Sequence, residues 1–336
     1  MAVSARDIAK ALNVSPATVS MALRDHKGIS DETKSRVLEM AEKVGYTKHL
    51  KSSRPTVFIH LVIYKKHGNV VSDTPFFSQL IQGIDFQTKK RGCNLLVSYY
   101  YETQDPKEQL RSLASSNCSG IILLATEMFP NDLQKFSGLG IPMLILDNYF
   151  ISEQYDCVGI NNMQGAYTAV KHLIDIGHTK IGYLSSKTEI QNFRERREGY
   201  QKALELIGKA TSDDQIVKVS PVAEEAIKDM GRYLSNNHDL PTAYYADNDI
   251  IATSCMRALK EYGYKVPEDI SIIGFDDVPV CQLVEPQLST MQVPKHSMGI
   301  HAVERLLDNI NGNTKDNIRI QMSTKLIIRN SVSNID

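Results

Sequence analysis

The sequence of 336 residues has no tryptophan, only five cysteines and no long apolar run. A helix that crosses a bilayer needs roughly 18 or more consecutive apolar residues, and no segment approaches that length. The N-terminus also lacks the apolar stretch of a secretory signal. We therefore expect a protein that stays in the cytoplasm and makes no membrane contact.

Signatures of cofactor binding and catalysis are missing too. The sequence contains no Walker-type Gly-Lys-Ser/Thr loop, no Gly-x-Gly-x-x-Gly and no Gly-x-Ser-x-Gly. The nine histidines form no i, i+4 pair around a carboxylate. No paired spacing occurs among Cys93, Cys118, Cys157, Cys255 and Cys281, which predicts buried free thiols. We expect no cofactor, no metal site and no enzymatic activity.

Charge is distributed unevenly along the chain, whose 42% hydrophobic and 23% charged content is that of an ordinary globular protein with two or three cores. Residues 1–54 hold ten Lys and Arg against six Asp and Glu, a net charge of +4. The remainder holds 28 against 33, a net charge of −5. A basic segment on an acidic body is expected when only that segment meets the phosphates of a nucleic acid.

Three short helices are predicted in the basic segment. Ser4 is a typical N-cap for a helix over residues 5–12. Ser15 followed by Pro16 is a strong start signal for a second helix, over residues 16–23, with Val19 and Leu23 on its buried face. A third helix begins after Ser30 and ends near Gly45, with an apolar set that consists of Val37, Leu38, Ala41 and Val44.

The second of these helices has an unusually bare outer face. Ala17, Thr18 and Ser20 are small enough to let the backbone approach a DNA groove closely. Any three-helix bundle has caps and apolar stripes, so this pattern alone leaves a purely structural role open. The basic charge of the segment favours a helix-turn-helix that reads DNA.

After a basic, polar linker at residues 47–56, the body of the chain begins at Val57. Short apolar, β-branched runs alternate there with helical periods, which predicts buried parallel strands in an α/β fold. About ten such strands exceed what one compact sheet of this length holds, so we expect two lobes with a cleft between them. The predicted strands are 57–64, 95–101, 121–125, 143–147, 158–160, 181–185, 216–219, 243–246 and 270–275.

Polar residues follow several of these strands, at the edge where ligands of parallel sheets bind. They are Asp147, Asn148, Asp247 to Asp249, Asp276 and Asp277, joined by Arg194, Arg196, Arg197 and by Phe76 and Phe77. Carboxylates, amides, a guanidinium and an aromatic face are what a polyol ring requires. Each residue also has a structural reading: Asp249 can cap a helix, and the Phe side chains can belong to the core. A carboxylate pair for sugar-processing catalysis, Asp147 with Asp276, is the less favoured alternative.

With these features in view, the chain resembles the LacI family of bacterial transcription regulators over nearly its whole length. The matches are Asp7 to Ala9, Val14-Ser15, Ala17 to Ser20, residues 30–46, Gly177-His178, Arg196, Gly199, Asn248-Asp249, Pro267 to Asp269, Gly274 to Asp277, Pro286, Leu288, Thr290 and residues 326–329.

The resemblance implies a helix-turn-helix head and a body like the periplasmic binding proteins, which dimerises and binds a small effector. We place the head at 1–46, the linker at 47–56 and the effector and dimerisation domain at 57–336. Within that domain, lobe 1 is expected at about 57–156 plus 287–319, and lobe 2 at about 157–286 plus 320–336.

By position in the family pattern, the expected DNA contacts are Ser4, Ser15, Pro16, Ala17, Thr18, Met21, Ser30 and Tyr46. The expected effector contacts are Phe77, Asp147, Arg196, Asn248 and Asp276. Two departures from the family pattern stand out. Met21 replaces the usual arginine of the recognition helix, and the short linker lacks the Ala-Arg-x-Leu hinge helix, with Leu50 as a weak substitute.

The resulting hypothesis is a homodimeric regulator, expected to repress, that binds a palindromic operator and responds to a small sugar or sugar-like molecule. A purine-type effector is the alternative for the ligand, because Phe77 can stack on a ring. A solute-binding protein for a transporter would fit the body alone, but the helix-turn-helix and the lack of a signal peptide argue against it.

Overall fold

The structure of the protein is a computed structural model, which describes residues 4–23, 28–46, 57–71, 75–210, 212, 215–313 and 316–335. The chain forms two compact units, Met1–Thr56 and Val57–Asp336. The predicted linker at residues 47–56, including Leu50, lies outside the described residues. Within the described ranges, no helix combines the length and apolar character that a bilayer crossing demands.

The first unit is the predicted all-α head. Its helices are α1 (Ala5–Leu12), α2 (Pro16–Leu23) and α3 (Asp31–Lys43). They enclose a small core of Ile8, Ala9, Val19, Ala22, Val37 and Ala41. The limits of α1 and α2 are as expected, but Ala22 is buried where we expected Leu23, and Leu38 is 45% exposed. Three mutually packed short helices bury only a narrow stripe of each, so Leu38 at the margin of its stripe remains in solvent.

The second unit is an α/β body with two twisted sheets. The strand order is β2-β1-β3-β4-β5-β11 in one sheet and β7-β6-β8-β9-β10-β12 in the other. Paired strands run parallel, as expected, except that β10 and β12 are antiparallel. The strands are β1 (Phe58–Lys65), β2 (Asn94–Tyr101), β3 (Gly120–Leu124), β4 (Met143–Leu146), β5 (Asp156–Ile160), β6 (Ile181–Ser186), β7 (Ile216–Val219), β8 (Ala243–Ala246), β9 (Ser271–Asp276), β10 (Ser289–Gln292), β11 (Arg319–Met322) and β12 (Lys325–Ile327).

Helices cover the faces of both sheets, as parallel sheets require. In the first sheet's lobe, α4 packs against α11, and in the second lobe α7 packs against α8 and α9 against α10. The helices of the body are α4 (Pro75–Lys90), α5 (Pro106–Ser115), α6 (Pro130–Leu133), α7 (Asn162–Asp175), α8 (Gln191–Leu204), α9 (Ala223–Asn236), α10 (Asp249–Glu261) and α11 (Lys295–Ile310).

The lobe limits expected from the sequence are wrong at each crossover. Sheet membership puts β5 in lobe 1, although we expected residues from 157 onward in lobe 2. β10 pairs with β9 in lobe 2, although we expected 287–319 in lobe 1, and β11 pairs with β5 in lobe 1. The chain therefore crosses between lobes after Ile160, after Gln292 and after Met322. Apolar runs identify strands but carry no information on which sheet receives them.

Three strands are missing from the predicted list: β12, which overlaps the family match at residues 326–329, and β10 and β11, which are polar. β11 has the sequence Arg-Ile-Gln-Met and is partly exposed at the edge of its sheet, and β10 has Ser289 and Thr290 in its buried part. β2, the other edge of lobe 1, was predicted but is mostly exposed rather than buried on both faces. The five cysteines are free, as expected, although Cys93 and Cys118 are only partly buried.

Candidate functional site

Ser15 and Thr18, two of the predicted DNA contacts, form hydrogen bonds at the N-terminal end of α2. The Thr18 backbone amide donates to Ser15 Oγ at 2.9 Å, and the two hydroxyls lie 2.8 Å apart. Ser15 is thus the N-cap of α2, with Pro16 in the first helical position. Ala17 and Met21 are exposed on the same helix, and Met21 is 40% exposed. This surface is small, uncharged and accessible.

The remaining predicted DNA contacts lie at other helix ends of the head. Ser4 donates its amide and its hydroxyl to the Asp7 carboxylate, at 2.8 and 2.7 Å. Those hydrogen bonds lower the pKa of Asp7. Ser30 caps α3 by accepting from the Thr33 amide at 3.3 Å. Tyr46 is half-buried beside the head core rather than fully exposed. Ser4, Ser15 and Ser30 are exposed, so capping leaves each accessible to a partner.

A small cavity of about 40 Å³ in the body brings the predicted effector residues together. Its walls come from both lobes. The lining consists of Val70, Phe76, Phe77, Thr126, Asp147, Ile190, Asn192, Phe193, Arg196, Asn248 and Asp276. All five predicted effector residues are in this set. A larger groove of about 760 Å³ lies in lobe 2 between α10 and the segment before β10, but it lacks such buried charged groups.

Arg196, on α8, has the densest set of contacts in the cavity wall. Its Nε donates to Asn162 Oδ1 at 2.9 Å, Nη1 to the Asp247 carbonyl at 2.5 Å, and Nη2 to Asp276 Oδ1 at 3.1 Å. The guanidinium carbon lies 3.8 Å from the centroid of the Phe275 ring, a cation–π contact. Burial opposes its charge, but the neighbouring carboxylates raise the pKa of Arg196.

Asp147 directly follows β4 and is 2% exposed. Its backbone has φ +61°, a left-handed conformation that Asp tolerates better than most residues and that turns the chain sharply at the strand end. Thr126 Oγ1 donates to Oδ2 at 2.7 Å, and Asn192 Nδ2 lies 3.2 Å from Oδ1. Burial, with a smaller contribution from the charge of Asp276, raises the pKa of Asp147 to about 7 despite these bonds.

Asp276, at the end of β9, is held from two sides. Arg196 pairs with its carboxylate, and Lys295, at the start of α11, donates its Nζ to the Asp276 carbonyl. Burial raises the pKa of Asp276, while Arg196 and Lys295 oppose that rise. Lys295 is itself buried, which lowers the pKa of its ammonium group. Because Lys295 belongs to α11 and Asp276 to lobe 2, this contact links the lobes.

Asn248 is a helix cap as well as a cavity residue. Its Oδ1 accepts from the Ile251 amide at 2.9 Å, so Asn248, not Asp249, caps α10. Asp249 instead accepts from the Val278 amide at 3.0 Å and from Thr290 Oγ1 at 2.5 Å. Burial raises its pKa to about 7. The capping role that we considered for Asp249 is therefore wrong, and Asp249 instead connects the start of α10 to Val278 and Thr290.

Phe77 contributes an aromatic wall near the start of α4, with Phe76 edge-on to it at 5.0 Å between centroids. Two α8 residues that line the cavity were not predicted from the sequence. Phe193 completes the aromatic wall, and Asn192 adds a polar side chain beside Asp147. Asn192 donates from α8 in lobe 2 to the side chain and carbonyl of Asp147 in lobe 1, at 3.2 and 3.3 Å. Their sequence positions gave a weak indication, because both residues lie about one helical turn before Arg196 on the same helix.

Glu127, another residue missed from sequence, holds the loop that carries Val70 to the cavity. Its fully buried carboxylate accepts from the backbone amides of residues 66, 67, 68, 70 and 71, at 2.9 to 3.1 Å. Burial alone would raise the pKa of Glu127, but hydrogen bonds from His67 and from the amides of Val71, Gly68 and Val70 lower it to about 2. One carboxylate thus fastens residues 66–71, which directly follow β1.

These features define a class of protein: a helix-turn-helix head joined to a two-lobed body with a polar and aromatic ligand cavity. The family described as "Bacterial regulatory proteins, lacI family" matches residues 4–49, and "Periplasmic binding protein-like domain" matches residues 170–332. The "HTH-type transcriptional repressor PurR" of Mannheimia succiniciproducens is 31% identical over 336 residues, with 98% of each chain covered. The chain therefore belongs to the lacI family and is a DNA-binding transcriptional regulator.

Solved structures agree with this fold. A LacI family transcriptional regulator from Enterococcus faecium with bound ribose superposes with a TM-score of 0.71 at 25% identity, over 83% of this chain and 100% of that one. The lac repressor dimer bound to operator and the anti-inducer ONPF gives a TM-score of 0.74 at 21% identity, over 99% of this chain and 100% of that one. Regulators of this family are generally not enzymes.

Proposed function

We propose that the protein is a repressor that binds a palindromic operator as a homodimer, under the control of a small sugar or sugar-like effector. The observation that carries the proposal is the cavity itself, because it joins residues of both lobes through Asn192 and Asp147. A ligand bound there has contacts with both lobes and thereby biases their arrangement. The relative that is described as a repressor supports repression rather than activation.

We assign recognition of the operator sequence to the exposed N-terminal end of α2 and to Met21. Ser15, Pro16, Ala17, Thr18 and Met21 are proposed to approach the major groove, with Ser4, Ser30 and Tyr46 at phosphates. Two-fold symmetry would place two such helices about one duplex turn apart, so the operator should contain two half-sites. We keep residues 1–46 as the head, 47–56 as the linker and 57–336 as the effector and dimerisation domain, and propose that the protein acts in the cytoplasm.

The test of DNA binding is selection of duplexes from a random library by the full-length protein, followed by fluorescence anisotropy. Ala17→Glu should weaken binding to the selected duplex by about 10-fold or more, because a carboxylate would face phosphates. A Glu in the first turn favours the helix, so the fold should persist. Glu39→Gln, an exposed change on α3, is the matched control. Selection of no preferred sequence would contradict the proposal.

The effector is proposed to be a carbohydrate because the cavity combines carboxylate and amide acceptors, a guanidinium and aromatic faces. The solved relative with bound ribose supports this class. Ligand pockets usually measure about 300 to 1,000 Å³. Since this cavity is much smaller, the lobes should separate to admit a sugar ring. Thermal shift with a sugar panel tests this, because a ligand at about 100 times its Kd stabilises by roughly 2.7 kcal/mol.

A purine-type effector is the second candidate. Phe76 and Phe77 form an aromatic wall beside Arg196, and such a wall can stack on a heterocycle. Nucleobases belong in the same thermal-shift panel. Stabilisation by a nucleobase and by no sugar would replace the carbohydrate proposal, and the same ligand in the anisotropy assay would then show whether it releases or tightens the DNA.

A further inference from the structure

The cavity and its surroundings hold more buried acid than buried base. Four aspartates lie at the ends of β4, β8 and β9: the buried Asp147, Asp247 and Asp249, and Asp276, whose side chain is 13% exposed. The buried cations near them are Arg196 and Lys295, with the partly buried Arg197 close to Asp247. The region therefore attracts positive rather than negative groups.

Arg196 is already engaged within the protein. It donates to Asn162, to the Asp247 carbonyl and to the Asp276 carboxylate, and its guanidinium lies against the Phe275 and Phe193 rings at 3.8 and 5.6 Å. An anionic ligand would have to compete with Asp276 for this guanidinium. Among the described residues that line the cavity, Arg196 is the one Lys or Arg. A phosphate or carboxylate on the effector would thus meet a cation that is already paired.

Asp147 is in the opposite situation. It lines the cavity and is 2% exposed, yet it forms no ion pair with the described residues, and its partners there are the neutral Thr126 and Asn192. Of the charged groups near it, Arg196 is held by Asp276, and Asp276 itself is negative. A buried carboxylate without a counter-ion is costly to ionise, and a bound cation would offset that cost.

Three aromatic rings line the same cavity as this carboxylate, those of Phe76, Phe77 and Phe193. The negative face of a phenyl ring attracts an ammonium group within about 6 Å. Lys295 and Arg196 already lie over the Phe76 and Phe193 rings, at 5.7 and 5.6 Å, which leaves Phe77 for the ligand. An aromatic ring near a carboxylate that lacks an ion pair favours a cation over a second hydroxyl group, because a hydroxyl brings no charge to Asp147.

We infer that the effector carries a primary ammonium group, placed against Asp147 and the Phe77 ring, so that the site selects an amino sugar over its neutral parent and over its phosphate ester. This inference rests on the proposed carbohydrate effector. The ammonium group would supply the counter-ion that Asp147 lacks among the described residues. The hydroxyls of the same ligand would form hydrogen bonds with Asn248, Asn192 and Asp276, which also line the cavity.

The test uses the full-length protein and pairs of sugars that differ in one group. Isothermal titration calorimetry compares glucosamine with glucose and galactosamine with galactose, and glucose 6-phosphate is the anionic member of the panel. At least one amine should bind about 10-fold or more tightly than its neutral parent, since charge-assisted bonds exceed neutral ones. Binding of that amine near pH 6.5 should also release a fraction of a proton to the buffer, as Asp147 ionises.

Asp147→Asn supplies the decisive comparison, since it keeps the shape of the side chain and removes its charge. This variant should lose both the preference for the amine and the proton release. Asp239→Asn, which removes a charge from a side chain that is 98% exposed, is the matched control and should retain both. A folded Asp147→Asn is verified by its melting transition before titration.

The outcomes separate this inference from the function on which it rests. Neutral sugars that bind as tightly as their amines, or glucose 6-phosphate that binds more tightly than both, would overturn the inference and leave a carbohydrate effector standing. Equal amine preference in wild type and Asp147→Asn would also overturn it. Failure of every sugar to bind, with or without an amine, would overturn the inference and the carbohydrate proposal together.

Discussion

At the scale of single residues, the body keeps ionisable groups in places where ionisation is unfavourable. Burial raises the pKa of Asp147 to about 7, of Asp247 to about 6 and of Asp249 to about 7. A raised pKa in the folded state means that folding takes up protons, and this lowers stability as the pH increases. Side chains that bind a ligand are often kept at such a cost, because the ligand later supplies the missing partner.

Asp147→Asn should remove one part of this pH dependence. The contribution of Asp147 to stability is fully present below its unfolded pKa of 3.8 and is lost as the pH rises to about 7. Asn preserves the acceptor for Asn192 and can exchange a hydrogen bond with the Thr126 hydroxyl, and it tolerates positive φ. Relative to wild type, the variant should gain stability between pH 4 and 8, by up to about 4 kcal/mol.

The measurement is urea unfolding of ligand-free protein at several pH values in that interval. Asp239→Asn should follow the wild-type curve, because its carboxylate is 98% exposed and its ion pair with Lys180 lies at the surface, where such pairs contribute little. If the difference between Asp147→Asn and wild type stays constant with pH, Asp147 has an ordinary pKa and the electrostatic description of the cavity is wrong.

At the scale of elements, residues 66–71, which follow β1, depend on one side chain outside them. Five backbone amides of residues 66–71 point at the Glu127 carboxylate, and Val70 from this segment reaches the cavity. Val71 packs into the core, and the backbone of residues 66–71 is held by these charge-assisted bonds, each worth about 1.5 to 3 kcal/mol.

Glu127→Gln should loosen this segment. A carboxamide replaces one acceptor oxygen with a donor, which would face backbone amides that also donate, so we expect a loss of about 2 to 4 kcal/mol. Since the folded pKa is about 2, the contribution of the wild-type carboxylate is present above pH 4.5 and disappears as the pH falls toward 2. Urea unfolding at neutral and acidic pH measures both effects.

Hydrogen exchange gives the local readout for the same variant. Amides of Val70 and Val71 should exchange faster in Glu127→Gln, while amides of β3, which precedes Glu127, should not change by more than the global stability does. Glu225→Gln, on the exposed face of α9, is the control. Unchanged protection of the loop would show that Glu127 does not hold it.

The α2 helix offers a second prediction at this scale. Met21 is exposed where an arginine is usual in the family, and arginine contacts guanine through two hydrogen bonds. Met21→Arg should therefore shift the selected operator toward guanine at one position in each half-site, with about 10-fold tighter binding there. Met21→Leu should select the same operator as wild type. Identical motifs from Met21→Arg and wild type would place residue 21 away from the bases.

At the scale of the whole body, the two lobes are joined by three chain crossings and by a few contacts across the cleft. Asn192 of lobe 2 donates to Asp147 of lobe 1, and the Arg194 guanidinium lies 5.4 Å from the centroid of the Phe129 ring. Contacts of this kind are weak individually, so the closed arrangement should be separated from an open one by only a few kcal/mol.

Asn192→Ala should shift this balance toward separated lobes. The variant removes two hydrogen bonds across the cleft, each worth roughly 1 kcal/mol, and should increase the radius of gyration measured by small-angle scattering in the absence of ligand. Asn236→Ala, whose side chain bonds only within α9 among the described residues, should leave the scattering curve unchanged. An unaltered curve for Asn192→Ala would mean that other contacts keep the lobes together.

Much of this architecture was determined by local sequence. Ser4, Ser15-Pro16 and Ser30 specify where the three head helices begin, because capping and proline geometry act within four residues. Apolar, β-branched runs likewise identified the buried strands, and the aspartates that follow them marked the edge where the cavity lies. These signals need no knowledge of distant contacts, and the helix starts and most strands are found where they indicated.

Only the tertiary structure decided which strands share a sheet and which side chains meet. No residue pattern marks the positions at which the chain crosses between lobes, near β5, β10 and β11. A polar edge strand such as β11 joins its sheet because of the strand beside it, β5, rather than because of its own composition. Asn192 and Glu127 acquire their roles from partners 45 and 56 to 61 residues away. Local propensity acts over a few residues, whereas a buried carboxylate is matched by whatever donors the packed fold brings to it.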